Sequence, residues 1–359
     1  MASTLELPSP KQEAWRWADM GALEAARAIR RPAGAVGTAG RIGAGPRLVF
    51  IDGYYDEDWS EPGDLEFARV ELASDHPLGR HAAGQGYELR FAAGSAMTGI
   101  EIEHVNVGED AHLPLRFVLE EDAAVTVTET FTGAGWSNRL TQMSLARGAR
   151  LMRSVRLLQD EGYISIRDEA EVGEAASLVS IFLGAGAMGS RIDGALTLTG
   201  KGAFAEMGGT LLTRGAQRQE AAVSVRHENV DGTSRQIWRA VAADRSVASL
   251  AARVEVARDA QRTDGEQSLR GLLLDRGATV NLKPELEIFA DDVKCAHGAT
   301  VGELDRNALF YLQSRGVDEA RATALLTRAF VADALARIGE DAVREAFEAD
   351  ADQWLENAL

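Results

Sequence analysis

The residue types with the most chemical potential lie together near the C-terminal end of the sequence. Cys295 and His297 stand two positions apart in the run DDVKCAHG, residues 291–298. In an extended strand, residues two apart face the same side, with side-chain origins roughly 6.5 to 7 Å apart. That separation is too long for a direct thiolate–imidazole pair but suits two ligands of one metal ion or cluster. A soft thiolate with an imidazole favours iron, zinc or an iron–sulfur centre.

Two ligands do not complete such a site, because closed metal sites usually take four. A ligand role for Cys295 and His297 therefore implies that a second chain supplies the others, in a site shared across an interface. The local pattern by itself favours a second interpretation, in which a buried cysteine lies beside an ordinary hydrogen-bonded histidine. The residues alone leave both open.

Other catalytic motifs fail when their context is considered. The run GAGAMG at 184–189 has the spacing of a dinucleotide-binding loop, but residues 190–200 alternate like a strand where a helix should follow. We interpret it as a glycine turn between strands. Gly200 and Lys201 are followed by Gly202 where a phosphate-binding loop needs Ser or Thr, so no ATP site is expected. The six histidines are scattered and no serine-hydrolase or zinc-protease motif occurs, so the sequence gives little support for a self-contained hydrolase or metalloenzyme, and we assign no catalytic residue.

The elements that must position Cys295 and His297 are short strands. Residues 84–302 consist of runs that alternate apolar and polar residues, such as AVTVTETF at 124–131 and ALTLT at 195–199. Glycines followed closely by alanine recur between them, at 148, 173, 202, 277 and 298. A loose repeat of this kind, with a period of a few tens of residues, is typical of a solenoid. The segments favour Val, Ala and Thr over a regular leucine ladder, which predicts a β-helix core over 84–302 rather than leucine-rich repeats.

Both flanks of this core differ from it. Residues 1–83 are predicted to be helical or irregular, with a glycine-rich loop at 33–46, one strand beginning at Arg47 and no strong element over 54–83. From residue 303 the apolar period becomes helical, with Asp305 and Asp318 as helix caps and Gly316 and Gly339 as stops. This predicts a C-terminal helical domain over 303–359. We expect the flanking helices to cover the two ends of the solenoid.

Composition excludes several classes of protein. The 359 residues carry a formal net charge of -17, which disfavours contact with nucleic acid or an anionic membrane surface. Cys295 is the single cysteine, which excludes an internal disulfide framework and fits a reducing compartment. The sequence shows neither a secretory leader nor an apolar run long enough to span a membrane. We therefore expect a cytoplasmic protein.

A longer stretch around the same residues resembles a known family. The run KPELEIFADDVKCAHGATVGELD at 283–305, continued by LFYLQSRGV at 309–317, closely resembles the C-terminal signature of the SufD branch of the SufB/SufD family. These proteins are subunits of the Suf iron–sulfur cluster assembly scaffold. Four further runs are similar to that family: EAWR at 13–16, HENVDGTSRQ at 227–236, DAQRTDGEQ at 259–267 and LLL at 272–274. Family members often have additional helix before the EAWR run, so less helical cover is expected at this end.

The resemblance implies a right-handed parallel β-helix core and a role as a non-enzymatic scaffold subunit. It implies pairing with a SufB paralogue through the β-helix and binding of a SufC ABC-type ATPase through the C-terminal helices, for which we select residues 311–338. The family's Cys-x-His maps onto Cys295 and His297, which implies that His297 is a ligand of a nascent iron–sulfur cluster and that Cys295 supports it. It further implies that sulfur from a cysteine desulfurase system enters through the partner. A reduced flavin as electron source in the assembled complex is left open.

Two alternatives remain. The chain could be a SufB-like homodimeric scaffold, although the CAH run and the lack of other cysteines argue against it. It could also be a β-helix carbohydrate-active protein, which would need clustered carboxylates and aromatic platforms for sugar rings. An aromatic fraction of 6% disfavours the second alternative.

Overall fold

Parallel pairing between strands two positions apart in the chain organises the molecule, as seen in a computed structural model that describes residues 7–29 and 37–358. Arg150 is aligned with Ser177, and Ser177 with Phe204, so the chain completes one coil between each of these positions and the next. Ser234, Gly265 and Cys295 are aligned in the same way in later coils, which are slightly longer. The result is a parallel β-solenoid of about eight turns, which confirms the predicted fold class.

The strands fall into two sheets that face each other across the core. The described residues form β1 Arg47–Ile51, β2 Tyr54–Tyr55, β3 Phe67–Leu72, β4 Gly84–Phe91, β5 Ala96–Leu119, β6 Ala124–Leu145, β7 Arg150–Leu157, β8 Glu161–Val172, β9 Ser177–Gly184, β10 Gly189–Leu198, β11 Phe204–Thr213, β12 Arg218–His227, β13 Thr233–Ala242, β14 Val247–Val256, β15 Thr263–Leu273, β16 Thr279–Ile288 and β17 Val293–Glu303. From β7 onward the odd-numbered strands pair to form the first sheet, and the even-numbered strands form the second. The long strand β6 contributes to both sheets.

Alternation along each strand buries one side of each sheet. The enclosed core consists of aliphatic and aromatic side chains, among them Ile102, Leu115, Phe131, Leu151, Ile166, Leu178, Ile192, Leu211, Val225, Leu250 and Leu269. Glycines in the turns allow the sharp changes of direction, because Gly148 and Gly202 have positive φ values of 68° and 67°. The sequence predicted that Gly298 also lies between strands, but it lies inside β17.

The helices lie on the sides of the solenoid, which corrects the prediction that they cover its ends. The C-terminal helices are α3 Arg306–Ser314, α4 Glu319–Leu335 and α5 Asp341–Ala358. Val331, Phe347 and Trp354 from α4 and α5 pack against Ile181 and Leu212 of the first sheet. Asp305 and Asp318 accept hydrogen bonds from backbone N–H groups at the starts of α3 and α4, as the sequence predicted. The helix that the sequence predicted to end near Gly339 is α4, which ends earlier, at Leu335.

The N-terminal segment contains more structure than the sequence indicated. A 3-10 helix, Glu13–Trp15, and helices α1 Met20–Ala26 and α2 Pro77–Ala82 are present. The segment over 54–83, for which no strong element was predicted, includes β2, β3 and α2. Part of the predicted glycine-rich loop, residues 33–36, and the first six residues of the predicted helical segment lie outside the described residues. No helix in the described part of the chain has the length and apolarity needed to cross a membrane.

The two ends of the solenoid differ. At the N-terminal end, the aromatic rings of Phe50, Tyr55, Phe67 and Tyr87 pack together and close the first coil. At the C-terminal end, β16 and β17 each pair with one neighbouring strand of the preceding coil and with no further strand of the described chain. Most residues of β17 are exposed. The last coil is therefore an open edge.

Candidate functional site

Cys295 lies on the open edge with its sulfur turned toward the interior. Its thiol contacts the small apolar cluster that includes Val254, Val256 and Ala260. The aligned residue on β15 is Gly265, where a Cβ atom would come within 3.3 Å of the Cys295 Sγ. The absence of a side chain at Gly265 thus makes room for the sulfur.

Opposing effects act on this thiol. Burial raises the pKa of Cys295, and the nearby carboxylate of Asp264 raises it further. A hydrogen bond from the Gly265 backbone acts the other way, but burial is the largest effect. The resting thiol is therefore protonated at neutral pH, and binding of a metal ion must release its proton.

His297 stands two residues further along β17 and is exposed. It is aligned with Gln267 of β15, in the same inward-facing series of positions as Gly265 and Cys295. The structure therefore brings Cys295 and His297 to one side of β17, the arrangement that their spacing predicts. The thiol is half-buried and the imidazole open to solvent, so the imidazole is the more accessible of the two groups.

No third metal-binding side chain of the described chain completes a site with them. Within residues 7–29 and 37–358, no group of three or more His, Cys, Asp or Glu side chains is placed to hold one metal ion. Cys295 and His297 can supply a sulfur and a nitrogen ligand, and a closed site would need further ligands from elsewhere.

The other histidines have structural environments. His104 contacts Glu129, His112 contacts Asn138, His227 contacts Ser234, His76 contacts Asp193 and His81 lies edge-on to the ring of Trp136. Burial lowers the pKa values of His104, His112 and His227 to about 4, so their rings are neutral at physiological pH. None of these rings adjoins Cys295 in the strand register.

The glycine-rich motif is a turn, as interpreted from the sequence. Residues 185–188 connect β9 to β10 without forming a helix. Gly200, Lys201 and Gly202 form the next turn, between β10 and β11. Neither position opens a helix whose N-terminal amides could hold a phosphate group.

Sequence reasoning missed two residues behind the site, Gly265 and Gln267. Both belong to the run DAQRTDGEQ that carries part of the family resemblance. Their relation to Cys295 and His297 depends on the length of the coil between β15 and β17, which the irregular turns conceal in the sequence. The signal that could have found them is the matching two-residue spacing of 265 and 267 with 295 and 297.

A second exposed surface lies on α3, directly after β17. None of the residues of α3 is buried, and the side chains of Phe310 and Tyr311 are 72% and 58% exposed. Leu325 of α4 is also exposed. Leu335 and Ile338, which the sequence analysis included in the docking range 311–338, are buried against the solenoid instead. Their apolar side chains therefore contribute to packing of the C-terminal domain on the solenoid.

Comparison with known proteins gives the family. Residues 104–330 match the family model described as the SufBD core domain of SUF system FeS cluster assembly. A SufBD family protein of Synechocystis is 24% identical over 396 aligned residues, which cover 94% of this chain and 85% of that protein. The iron–sulfur cluster assembly protein SufD of Escherichia coli is 38% identical over 112 residues, which cover 31% of this chain and 26% of that protein.

A plant relative extends the comparison. The chloroplastic protein ABCI7 of Arabidopsis thaliana is 32% identical over 246 residues, covering 65% of this chain and 50% of that protein. Because the family model covers well over half of the chain and includes Cys295 and His297, the match places these two residues within the family core domain. The chain belongs to the SufBD family of iron–sulfur cluster assembly proteins.

Proposed function

We propose that this protein is a non-enzymatic scaffold subunit that pairs with a SufB paralogue and presents His297, supported by Cys295, to a nascent iron–sulfur cluster at their interface. The observation that carries the proposal is the open last coil, in which a thiol and an imidazole share one side of an edge strand. The cluster is the cargo of the complex, and its remaining ligands come from the partner.

The edge itself supports pairing with another chain. Exposed strands with unpaired backbone groups are usually blunted or covered, because they invite the addition of further strands. Here β16 and β17 carry the exposed apolar side chains of Ile288 and Val301, and Phe289 lies exposed in the loop between them. A paralogue with a similar open coil would cover these apolar side chains and pair the strand edges together.

We assign binding of the SufC ATPase to the exposed surface of Phe310, Tyr311 and Leu325. Phe310 and Tyr311 project from α3, none of whose residues is buried, and Leu325 projects from α4, which packs on the first sheet through other residues. Large exposed aromatic residues commonly act as anchors in protein interfaces. Only Leu304 and the capping residue Asp305 separate β17 from α3, so the two proposed interfaces are adjacent along the chain.

The remaining assignments follow from this role. ATP hydrolysis belongs to the SufC partner, and sulfur from a cysteine desulfurase system enters through the SufB paralogue, because Cys295 is the only thiol here. The single cysteine also fits a reducing cytoplasm. A reduced flavin could serve the assembled complex as electron donor, and cluster formation with and without added flavin measures that requirement.

The test is a His297→Ala variant co-expressed with both partners, with iron and acid-labile sulfide measured on the purified complex. We expect all three subunits to co-purify while iron and sulfide fall several-fold, because the variant removes a ligand and leaves the backbone edge intact. Lys294→Ala is the matched control, since Lys294 is exposed on the opposite side of the same strand. Wild-type iron and sulfide in the His297 variant would overturn the ligand role.

A further inference from the structure

Two buried glutamines lie in line behind His297. Gln236 on β13 is aligned with Gln267 on β15, which is aligned in turn with His297 on β17. Both glutamines are almost completely buried, with exposed fractions of 0% and 1%. The three side chains therefore form an inward-facing polar series across three successive strands, and His297 is its outermost member.

Each glutamine amide has a fixed direction. The Gln267 Nε2 donates to the backbone carbonyl oxygen of Glu285 on the second sheet, at 3.2 Å. In the preceding coil, the Gln236 Nε2 donates to the carbonyl oxygen of Arg253, at 3.0 Å. A carbonyl oxygen can only accept, so in both side chains the nitrogen must face the second sheet and the oxygen must face elsewhere.

As the side chains stand in this structure, no described residue donates a hydrogen bond to the amide oxygen of Gln267. Its Oε1 is buried and unpaired, as is the Oε1 of Gln236. Buried acceptors in folded proteins are nearly always paired, so this oxygen calls for a donor. Neighbouring strands are about 4.8 Å apart, which places the His297 ring within reach of the Gln267 side chain. A neutral imidazole carries one N–H donor.

We propose that Gln267 is a positioning residue for His297, with its unpaired Oε1 accepting a hydrogen bond from one ring N–H. This bond fixes the tautomer and the plane of the imidazole, and the other ring nitrogen then faces out of the open coil with its lone pair free. Metal-binding histidines are commonly held in this way by an acceptor behind them. This inference rests on the proposed function in one respect: the proposed function is what makes the free ring nitrogen a ligand of the cluster.

The test is ¹⁵N NMR of the imidazole nitrogens of His297 in the full chain without metal, at about pH 9, above the ordinary imidazole pKa of about 6.5. With one tautomer dominant, the Nδ1 and Nε2 shifts are widely separated. We expect Gln267→Met, which removes the acceptor at similar volume, to bring the two shifts together. Gln236→Met is the matched control: it loses the same kind of hydrogen bond one coil further from His297 and should leave the separation unchanged.

A third variant separates the acceptor from packing. Gln267→Glu keeps side-chain oxygens that accept from the ring, so we expect it to restore the wide separation of the shifts. Unchanged shifts in Gln267→Met, or an equal collapse in Gln236→Met, would overturn the positioning role. This outcome is independent of the ligand role, because the latter fails on a different measurement, namely wild-type iron and sulfide in the His297→Ala complex.

Discussion

At the scale of single residues, Cys295 combines burial with a position next to the open edge. Burial raises the pKa of its thiol by disfavouring the thiolate, and this outweighs the hydrogen bond from Gly265. We predict that the rate of alkylation of Cys295 by iodoacetamide rises with pH through a midpoint above the roughly 8.5 of a free thiol. The measurement is the second-order rate across pH 7 to 10.5, followed by intact mass.

The chain provides its own control for this experiment. Since Cys295 is the only cysteine, the same titration in denaturant reports the same thiol without its surroundings. The midpoint should then return to about 8.5. A folded-state midpoint at or below the denatured one would show that the edge stabilises the thiolate, contrary to the effect of burial.

His227 gives a second prediction at this scale. Its ring is buried, it contacts the Ser234 Oγ at 2.8 Å, and burial lowers its pKa to about 4. In the unfolded chain the ring has a pKa of about 6.5, so between these values the unfolded state binds a proton that the folded state does not. Stability contributed by His227 is therefore complete above about pH 6.5 and is lost as the pH falls toward 4.

The comparison that isolates this effect is the wild-type chain against His227→Gln, each unfolded in urea at pH 7, 6 and 5. The stability advantage of the wild type should shrink by about 2 kcal/mol between pH 7 and pH 5, at about 1.4 kcal/mol per pH unit below 6.5. Other titrating groups, such as Glu220 with a pKa raised to about 7, are common to both chains and cancel in the difference. An advantage that stays constant with pH would contradict the prediction.

The residue patterns predicted part of the site. The two-residue spacing of Cys295 and His297 was sufficient to place both on one side of a strand, because strand periodicity is a local property. Gly265 and Gln267 could not be placed behind them from the sequence, because their alignment depends on the lengths of the intervening turns. Those turns are irregular, and the register follows from packing of the whole coil.

At the scale of elements, α4 and α5 are a cover for the first sheet. Phe347 is fully buried between these helices and the strands that carry Ile181 and Leu212. We predict that Phe347→Ala lowers the free energy of unfolding by about 3 to 5 kcal/mol through lost burial and the cavity left behind. Leu325→Ala, on the exposed side of α4, should change it by less than about 0.5 kcal/mol.

Urea unfolding monitored by tryptophan fluorescence measures both changes, since Trp354 lies in the same cluster. If the two substitutions changed the free energy of unfolding equally, the contact of Phe347 with the first sheet would not be what holds α4 and α5 in place. The same packing explains why removal of residues 303–359 would be a poor test of partner binding: it would uncover Ile181, Leu183 and Leu212 of the solenoid. Point substitutions on exposed residues avoid that problem.

The location of the helices illustrates what the sequence leaves open at this scale. Helical periodicity and the caps Asp305 and Asp318 predicted where α3 and α4 begin, because capping is a local property. An apolar stripe shows that a helix face is buried but not against what. The ion pairs of Asp350 in α5 with Arg156, and of Arg337 in the turn after α4 with Glu206, join the C-terminal domain to strands far away in sequence, and their pairing follows only from the folded structure.

At the scale of the whole molecule, the two exposed surfaces are separate and belong to different proposed partners. The open edge of β17 carries Val301, and α3 carries Phe310. Both side chains are exposed, so a lysine at either position should leave the free energy of unfolding of the isolated chain within about 0.5 kcal/mol of the wild type. Any loss of binding then reports on the interface itself.

We predict that Val301→Lys releases the SufB paralogue while the SufC ATPase on this chain is retained, and that Phe310→Lys does the reverse. A lysine in an apolar interface must lose its hydration without gaining a carboxylate partner, and edge lysines oppose strand pairing. Co-expression of the three subunits, purification through a tag on this chain and intact-mass analysis give the composition of each complex. Loss of both partners from one variant, or of neither from both, would mean that the two surfaces do not act as separate docking sites. Loss of only the SufB paralogue from Val301→Lys and of only the ATPase from Phe310→Lys would show that this chain links the two partners. The cluster ligands would then lie at the edge of the solenoid, and the ATPase would bind to the helix that follows it.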